Sequence, residues 1–444
     1  MTVQLARTSA GTLPRILILG GGFGGVATAQ RLERLLRPSE AEITLVSREN
    51  YSVFTPMLPE VFSGSLETRH VVTPIRAELR RTRFVLGEVT GIDLGARTVH
   101  YRHPIEGTAG ELGYEQIVIG LGAAPTTFNL PGIADYTLPL KTLEDAETLR
   151  NHIISTLELA DVATPEERSH LLSYVIVGGG YTGVEAAGEL VDFFKSVAHF
   201  YPTITRADVR VTLIEGGKRL LPELNEKMGA YAARNLSERG VDVLIGTNVA
   251  SADADGLSLV DGRRFASRTL VWSAGTRPSA LVAGLPVKHG RGGAILTNPD
   301  LSVWGREGVW AIGDAAAIPA PDGTLYPPTA QHAIREGPVL AHNIAATLHG
   351  RATKPFVYAS LGMMASLGAR RGIAEISRGW IVTGFIAWVF WRTYYLARLP
   401  GLDRKVRVAL DWTLGLLFPR DIAELRVYSE RARREATQER SQEE

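Results

Sequence analysis

The chain of 444 residues contains no cysteine. That absence excludes disulfide staples, cysteine-ligated zinc and iron–sulfur centres, and any electron relay through a cysteine pair or persulfide. The ten histidines are scattered, so no metal-ligand pattern replaces the missing thiols and no metal site is expected. Net charge is +1, and no global field argues for nucleic acid as a partner. Long apolar runs are missing too. The densest, residues 380–391, has twelve residues, too few for a bilayer crossing that takes about twenty. The N-terminus lacks the charged-then-apolar pattern of a secretion signal, which points to a protein made and kept inside the cell. The first thirteen residues read as a disordered lead-in. Any redox chemistry in such a chain must run through a bound organic cofactor.

What is present is an apolar content of 45%, enough for a sizeable core, and length for two or three domains. Two glycine-rich turns stand out, each directly after an apolar strand. The first is Arg15-Ile-Leu-Ile-Leu-Gly20-Gly-Gly22-Phe23-Gly24-Gly25, and the second is Tyr174-Val-Ile-Val-Gly178-Gly-Gly180-Tyr-Thr182-Gly183. In this pattern the first glycine makes the strand-to-helix turn, the second admits a pyrophosphate against the backbone, and the third lets helix pack closely on strand. The diphosphate then lies at a helix N-terminus, where free N–H groups and the dipole favour anions. One such motif is weak evidence, because glycine-rich turns are common. Two, each with strand before and helical pattern after, point to two adenine dinucleotides on one chain and hence to hydride transfer.

The first α/β unit runs from Arg15 to about Thr137, with a second strand ending at Ser47-Arg48 and a later strand ending at the turn around Gly122. Thr142-x-x-Asp145 reads as a capping box before a helical pattern at Ala146, Leu149, Ile153, Ile154 and Leu157. The second unit runs from about Leu171 to Trp272, with its second strand ending at Glu215, and Ser273-Ala274-Gly275 marks the return to the first. The gap from Gly183 to Glu215 is longer than usual because residues 192–208 look like an insertion. The fold class expected is α/β: two Rossmann-like dinucleotide-binding domains, one inserted in the other, plus a C-terminal membrane-associating helical segment. The boundaries are 14–140 with 276–355, then 141–275, then 356–428, followed by a charged tail at 429–444.

Four stretches resemble the type II NADH:quinone dehydrogenases, single-chain monotopic flavoproteins of respiratory membranes. They are Ile18-Leu-Gly-Gly-Gly-Phe-Gly-Gly25, Val177-Gly-Gly-Gly-Tyr-Thr-Gly-Val-Glu185, Ala311-Ile-Gly-Asp314 and Tyr326-Pro-Pro-Thr-Ala-Gln-His-Ala333, in family order over roughly residues 15–345. The resemblance implies FAD at the first turn, NADH at the second and quinone as acceptor. It implies that Asp314 bonds the ribityl chain of FAD, a role compatible with a helix N-cap. It places Gly122, Ala330 and the loop carrying Thr55 and Pro56 near the flavin, the alternative for that loop being core filling. At the first strand end, where an acid usually meets the ribose, this chain has Ser47 with Arg48 beside it. At the second, Glu215 can accept from both ribose hydroxyls and repels a 2′-phosphate, which predicts NADH over NADPH. Glu185 is implied near the reacting rings as a proton shuttle, the alternative being a first-turn Glu favoured by the helix dipole. Gln331 is the main quinone contact implied, and Arg335 stands where the family often has a second Gln. Arg335 either bonds a quinone carbonyl or forms a salt bridge.

Residues 370–428 carry ten basic against five acidic side chains, which leaves the rest of the chain net negative. Basic charge beside Trp, Tyr and Phe suits a helix lying in the interface of an anionic leaflet. This implies a peripheral, monotopic protein on the cytoplasmic face of the cell membrane, with a helical homodimer interface as the alternative use of the same residues. Two rival functions share both turns: a soluble NAD(P)H reductase of a small iron–sulfur protein, and an NADH-binding redox-sensing flavoprotein.

Overall fold

The computed structural model describes residues 13–360, 362–368, 370–376 and 380–425; the lead-in up to Thr12 and the charged tail lie outside them. The elements that position the sites run in chain order as β1 (Arg15–Leu19), α1 (Phe23–Leu35), β2 (Glu42–Ser47), α2 (Leu58–Phe62), β3 (Arg83–Leu86), β4 (Gln116–Ile119), β5 (Leu138–Pro139), α3 (Leu143–Val162), β6 (Ser173–Val177), α4 (Tyr181–Val197), β7 (Arg210–Glu215), β8 (Val241–Ile245), β9 (Thr269–Trp272), β10 (Val309–Ala311), α5 (Ala330–Leu348), β11 (Gly362–Ser366), β12 (Gly372–Ile376), β13 (Trp380–Gly384), α6 (Phe385–Arg398) and α7 (Leu402–Leu414). They divide into two compact units.

The first unit gathers residues 1–53, 72–124 and 276–359. Its centre is a five-stranded sheet in the order β10–β4–β1–β2–β3, with parallel pairing throughout. Central strands of such a sheet are covered on both faces and so are apolar without alternation. Ile16, Leu17, Ile18 and Leu19 are all buried, as are Ile117, Val118 and Ile119. Helices α1 and α5 pack closely because small residues meet: a Cβ on Gly337 would lie 2.8 Å from Ala27 Cβ and from the Gly24 carbonyl oxygen. An antiparallel meander, residues 88–113, completes the unit.

The second unit gathers residues 54–71, 125–275 and 360–444. Its parallel sheet has the order β5–β9–β6–β7–β8, with an antiparallel meander of its own at residues 249–266. The capping box is present: Thr142 Oγ1 accepts from Asp145 N at 3.1 Å and the Asp145 carboxylate accepts from Thr142 N at 2.7 Å. The apolar stripe of α3 read from the sequence is buried at every position named. The stretch from Asp192 is not wholly an insertion, since α4 continues to Val197 and Asp192 pairs with Arg239 at 2.7 Å. Residues 54–71, read from sequence with the first domain, cluster here instead.

The apolar run at 380–391 also departs from a single helix. Its first part is the edge strand β13 of a three-stranded antiparallel sheet, β11–β12–β13. The β-branched Ile381, Val382 and Thr383 favour strand, and Gly384 turns the chain at φ +74° into α6. No helix among the described residues is long and apolar enough to cross a membrane.

Candidate functional site

The two glycine-rich turns share one construction. In the first, Gly20 N donates to Val46 O at 2.8 Å; in the second, Gly178 N donates to Ile214 O at 2.8 Å, so each turn hangs on the neighbouring parallel strand. Gly20 and Gly178 sit at φ +106° and +113°, a region where only glycine is unstrained. A Cβ on Gly25 would overlap the Gly20 carbonyl, and one on Gly183 the Gly178 carbonyl. The middle glycines differ: around a Cβ on Gly22 or Gly180 there is nothing within 4 Å. These two residues are the N-caps of α1 and α4, with no side-chain cap on either helix. Each turn therefore presents open backbone N–H groups at a long helix's positive end, the cradle a pyrophosphate fits.

Beside the first turn, Ser47 closes β2 with its hydroxyl near Gly21, while Arg48 is exposed and pairs with Glu49 at 3.3 Å. Phe23 and Gly24 open α1, and Gly24 faces Ile312, the residue that follows β10. Gly122 follows β4 at φ +67° with open space around it. Asp314 lies in a short turn of 3-10 helix after β10. Thr55 and Pro56 belong to the second unit, in a 3-10 turn whose neighbours Phe54, Met57 and Leu58 are buried.

Beside the second turn, Glu215 closes β7. Its carboxylate accepts from Gly179 N and from Gly217 N, which fixes it across the mouth of the turn. Ser273 Oγ donates to Val177 O at 2.9 Å and brings Ala274 against Gly178; Gly275 follows at φ +71°. Thr182 is the second residue of α4.

Helix α5 opens with Ala330 and Gln331. Gln331 Oε1 accepts from the Tyr358 hydroxyl at 3.2 Å. Arg335 pairs with no carboxylate among the described residues. It donates to the Gln331 carbonyl at 2.7 Å and lies over the Tyr358 ring, 4.3 Å from its centroid. Below it Glu336 is buried and accepts from Gly313 N at 2.7 Å. Burial, with Asp314 nearby, pushes its carboxyl up to about 7. Neither Tyr358 nor Glu336 was singled out by the sequence: Tyr358 acts across 27 residues, and Glu336 is one acid in a helical run.

Glu185 is fully enclosed in the second unit. Ser366 N and Trp391 Nε1 both donate to its Oε1, at 2.9 and 3.2 Å, and burial, with Glu60 and Glu189 nearby, pushes the carboxyl up to about 8. Two more buried acids lie in the same unit. Glu189 accepts from Ser63, Ser65 and Arg420, the last at 2.8 Å. Glu60 accepts from Trp412 Nε1 at 3.2 Å and from Arg392 at 3.4 Å; its carboxyl is pushed up to about 7 by burial. The Arg392 guanidinium is sandwiched between the rings of Trp388 and Trp412, at 4.0 and 4.4 Å. Arg392 is not singled out by the sequence; an acid inside Met57-Leu-Pro-Glu60-Val-Phe62 was the available hint of its partner.

Helix α7 turns Val408 and Trp412 inward together with part of its polar side: Asp411 accepts from Glu67 N at 3.2 Å and contacts His70 Nδ1 at 2.6 Å, and Arg404 donates to Arg69 O. Val406, Leu410 and Leu414 face out, as do Leu402 at 77% exposure and Leu417 at 75%. On α6 and β13, Trp380, Phe385, Ile386 and Phe390 are likewise exposed. An apolar surface of this extent exceeds the scattered hydrophobes of an ordinary soluble face.

Comparison with known proteins adds independent findings. Residues 14–337 match the pyridine nucleotide-disulphide oxidoreductase family model, and residues 361–421 match the NDH2 C-terminal domain. The type II NADH:quinone oxidoreductase of Mycobacterium tuberculosis is 32% identical over 422 residues, covering 91% of this chain and 89% of that protein. The external alternative NADH-ubiquinone oxidoreductase of Yarrowia lipolytica mitochondria is 30% identical over 92% of this chain and 80% of its own length. Among solved structures, NDH2 from Plasmodium falciparum superposes with a TM-score of 0.86 at 22% identity, over 93% of this chain and all of that one, a likeness of fold.

Proposed function

The chain belongs to the type II NADH:quinone oxidoreductases, within the pyridine nucleotide-disulphide oxidoreductase family, and we propose that it passes hydride from NADH to FAD and two electrons on to a quinone without pumping protons. The observation that carries this reading is the duplicated open cradle, one copy ending in a neutral hydroxyl and the other in a fixed carboxylate. In it the first cradle holds FAD, with Gly20, Gly22 and Gly25 at the pyrophosphate, Ser47 at the ribose, and Asp314 with Gly122 and Ala330 along the rest of the molecule. The second holds NADH, with Gly178, Gly180, Gly183 and Thr182 at the pyrophosphate, Glu215 at the ribose, and Ala274 with Gly275 lining the other side. When bound, the flavin supplies the two-electron chemistry that no side chain here can perform.

The protein's own residues bind, orient and hold protons. Glu215 is pre-set by two backbone donors, so its oxygens meet a ribose without reorganising, and their charge disfavours a 2′-phosphate. Glu185 carries its proton at neutral pH and takes its two donors on one oxygen, which suits it to pass that proton during quinone reduction. Gln331 at the head of α5 donates to a quinone carbonyl.

The outward apolar face of β13, α6 and α7 seats the chain in one leaflet on the cytoplasmic side, with Arg398 and Arg407 exposed among it to meet anionic headgroups. Flotation with anionic vesicles tests this; self-association without vesicle binding would favour a dimer interface instead. For the activity, NADH oxidation is measured with a quinone analogue, ferricyanide and oxygen. Quinone should be the fastest acceptor by at least tenfold, and a purified chain with no yellow absorbance overturns the reading.

A further inference from the structure

Turning a hydride and a quinone into quinol takes one further proton, which the reading above draws from Glu185. Glu185 is buried, so a route must refill it in every cycle. Its donors Ser366 N and Trp391 Nε1 both fall on Oε1, and neither releases a proton at neutral pH. Oε2 is therefore the oxygen to be refilled. The neighbouring acids are engaged elsewhere: Glu60 is held by the Arg392 guanidinium and the Trp412 indole, and Glu189 is paired with Arg420 at 2.8 Å.

Tyr181 stands one helical turn before Glu185 on α4, which puts the two side chains on one face. Its hydroxyl is enclosed and bonds to no other group among the described residues. A buried hydroxyl in that condition is satisfied by internal water. Two surface carboxylates are close to it. The loop carrying the exposed Glu223 hangs on the second turn, Leu221 N donating to Gly179 O at 2.8 Å. Half-buried Glu375 on β12 accepts from Asn225 N at 3.3 Å, at the end of that same loop. Burial, with Glu223, Glu185 and Glu375 nearby, pushes the Tyr181 phenol far up, so it stays neutral; Tyr395 of α6 faces both Tyr181 and Glu185.

We propose that Tyr181 relays solvent protons to Glu185, collecting them from water at the Glu223 and Glu375 carboxylates. Glu185 gives its proton to the quinone oxygen and is left a carboxylate. The Tyr181 hydroxyl then passes its proton through one water to Oε2, while its oxygen takes a proton from water beside Glu223 and Glu375. One O–H bond breaks as another forms, and no tyrosinate remains. The net uptake is one solvent proton per quinol, the other hydrogen being that of the hydride. This rests on the reading of Glu185 as the proton source. Tyr181 acts through Glu185 and touches no substrate.

The test uses the full chain with its flavin, saturating NADH and a saturating short-chain quinone, in a bulky buffer across about pH 6–9. Tyr181→Phe keeps the ring and removes the relay. Its kcat should match wild type at the acid end and fall about tenfold below it at the alkaline end, where free protons are scarce. Added imidazole, a small proton carrier, should restore at least about half of the loss, and flavin bleaching by NADH should stay within about twofold. Glu185→Gln should be slow at every pH and deaf to imidazole. If Glu185→Gln is slow and Tyr181→Phe keeps the wild-type pH profile, the relay is overturned and the Glu185 reading stands. Wild-type turnover in Glu185→Gln overturns both. A loss in Tyr181→Phe that is equal at all pH values and not restored by imidazole, or one confined to flavin bleaching, makes Tyr181 structural or a nucleotide contact and overturns the relay. Should Tyr181→Phe fail to fold, the paired variant Glu223→Gln with Glu375→Gln decides, an unaltered pH profile overturning it.

Discussion

In the first unit the turn after β1 closes against Gly120, at the end of β4; in the second the turn after β6 closes against Ser273 and Ala274, at the end of β9. The central strand, the helix N-cap without a side chain, and the three glycine roles repeat one for one. The ends of the second strands do not. Ser47 presents a single hydroxyl beside its turn, whereas Glu215 is a carboxylate drawn taut across its turn by Gly179 and Gly217. In the proposed reading, a shared cradle recognises what two nucleotides have in common, the diphosphate, and the strand end separates them at the ribose. On that reading the cofactor kept through every cycle sits on the Ser47 side with one weak ribose contact, and the substrate exchanged each cycle meets the acid.

The largest effect expected comes from filling the third glycine in each copy. Gly25→Val and Gly183→Val each place side-chain carbon where a carbonyl stands, forcing helix off strand at a cost of about 1–3 kcal/mol or more. Gly25→Val should purify without yellow absorbance. Gly183→Val should stay yellow and lose reduction by NADH by about a hundredfold or more, seen as flavin bleaching in a stopped-flow mixing experiment. If both variants lost flavin alike, the division of labour between the cradles would be wrong.

A smaller effect separates the strand ends. Glu215→Gln keeps an acceptor and removes the charge. The NADH KM should rise about tenfold, as expected for loss of a charged hydrogen bond, and the preference over NADPH should narrow. Ser47→Ala should leave the NADH KM within about twofold and only speed flavin loss on dialysis, by a few-fold. Steady-state kinetics with both nucleotides decides it; an equal NADH response in the two variants would erase the contrast.

Both turns, their preceding strands, the acid at Glu215 and the capping box at Thr142 and Asp145 are legible in the sequence because each follows a local pattern of residue types, even though Glu215 reaches Gly179 across 36 residues. The switch from strand to helix at Gly384 was hidden, since an apolar run carries no period that separates the two. Arg392 with Glu60, Tyr358 with Gln331 and Glu185 with Ser366 are meetings of distant segments. Their residue types are ordinary locally, and only tertiary packing makes them partners. Which side of α7 faces inward was not legible, because it is decided by contacts of Asp411 with His70 and the backbone of Glu67, distant in sequence.

The smallest effect concerns one buried acid in each unit, Glu336 in the first and Glu185 in the second. Glu185 and Glu336 are pushed from an ordinary 4.5 up to about 8 and about 7. The folded chain then holds a proton that the unfolded chain has released, so each group's contribution to stability is complete below pH 4.5 and erodes as pH rises through the folded value. For Glu185 the erosion extends to about pH 8, for Glu336 to about pH 7, and above those values neither changes stability further. Glu185→Gln should flatten the decline of the thermal midpoint across that range, and Glu336→Gln should flatten only its lower part. A wild-type slope in Glu185→Gln between pH 5 and 8 would remove Glu185 as its source. The wider window in the second unit has a physical origin: burial is the largest cause for both acids, and to it Glu185 adds two neighbouring carboxyls, Glu60 and Glu189, where Glu336 adds Asp314. Burial and like charge together make the Glu185 proton hard to give up, the property that its proposed role as a proton donor at neutral pH requires.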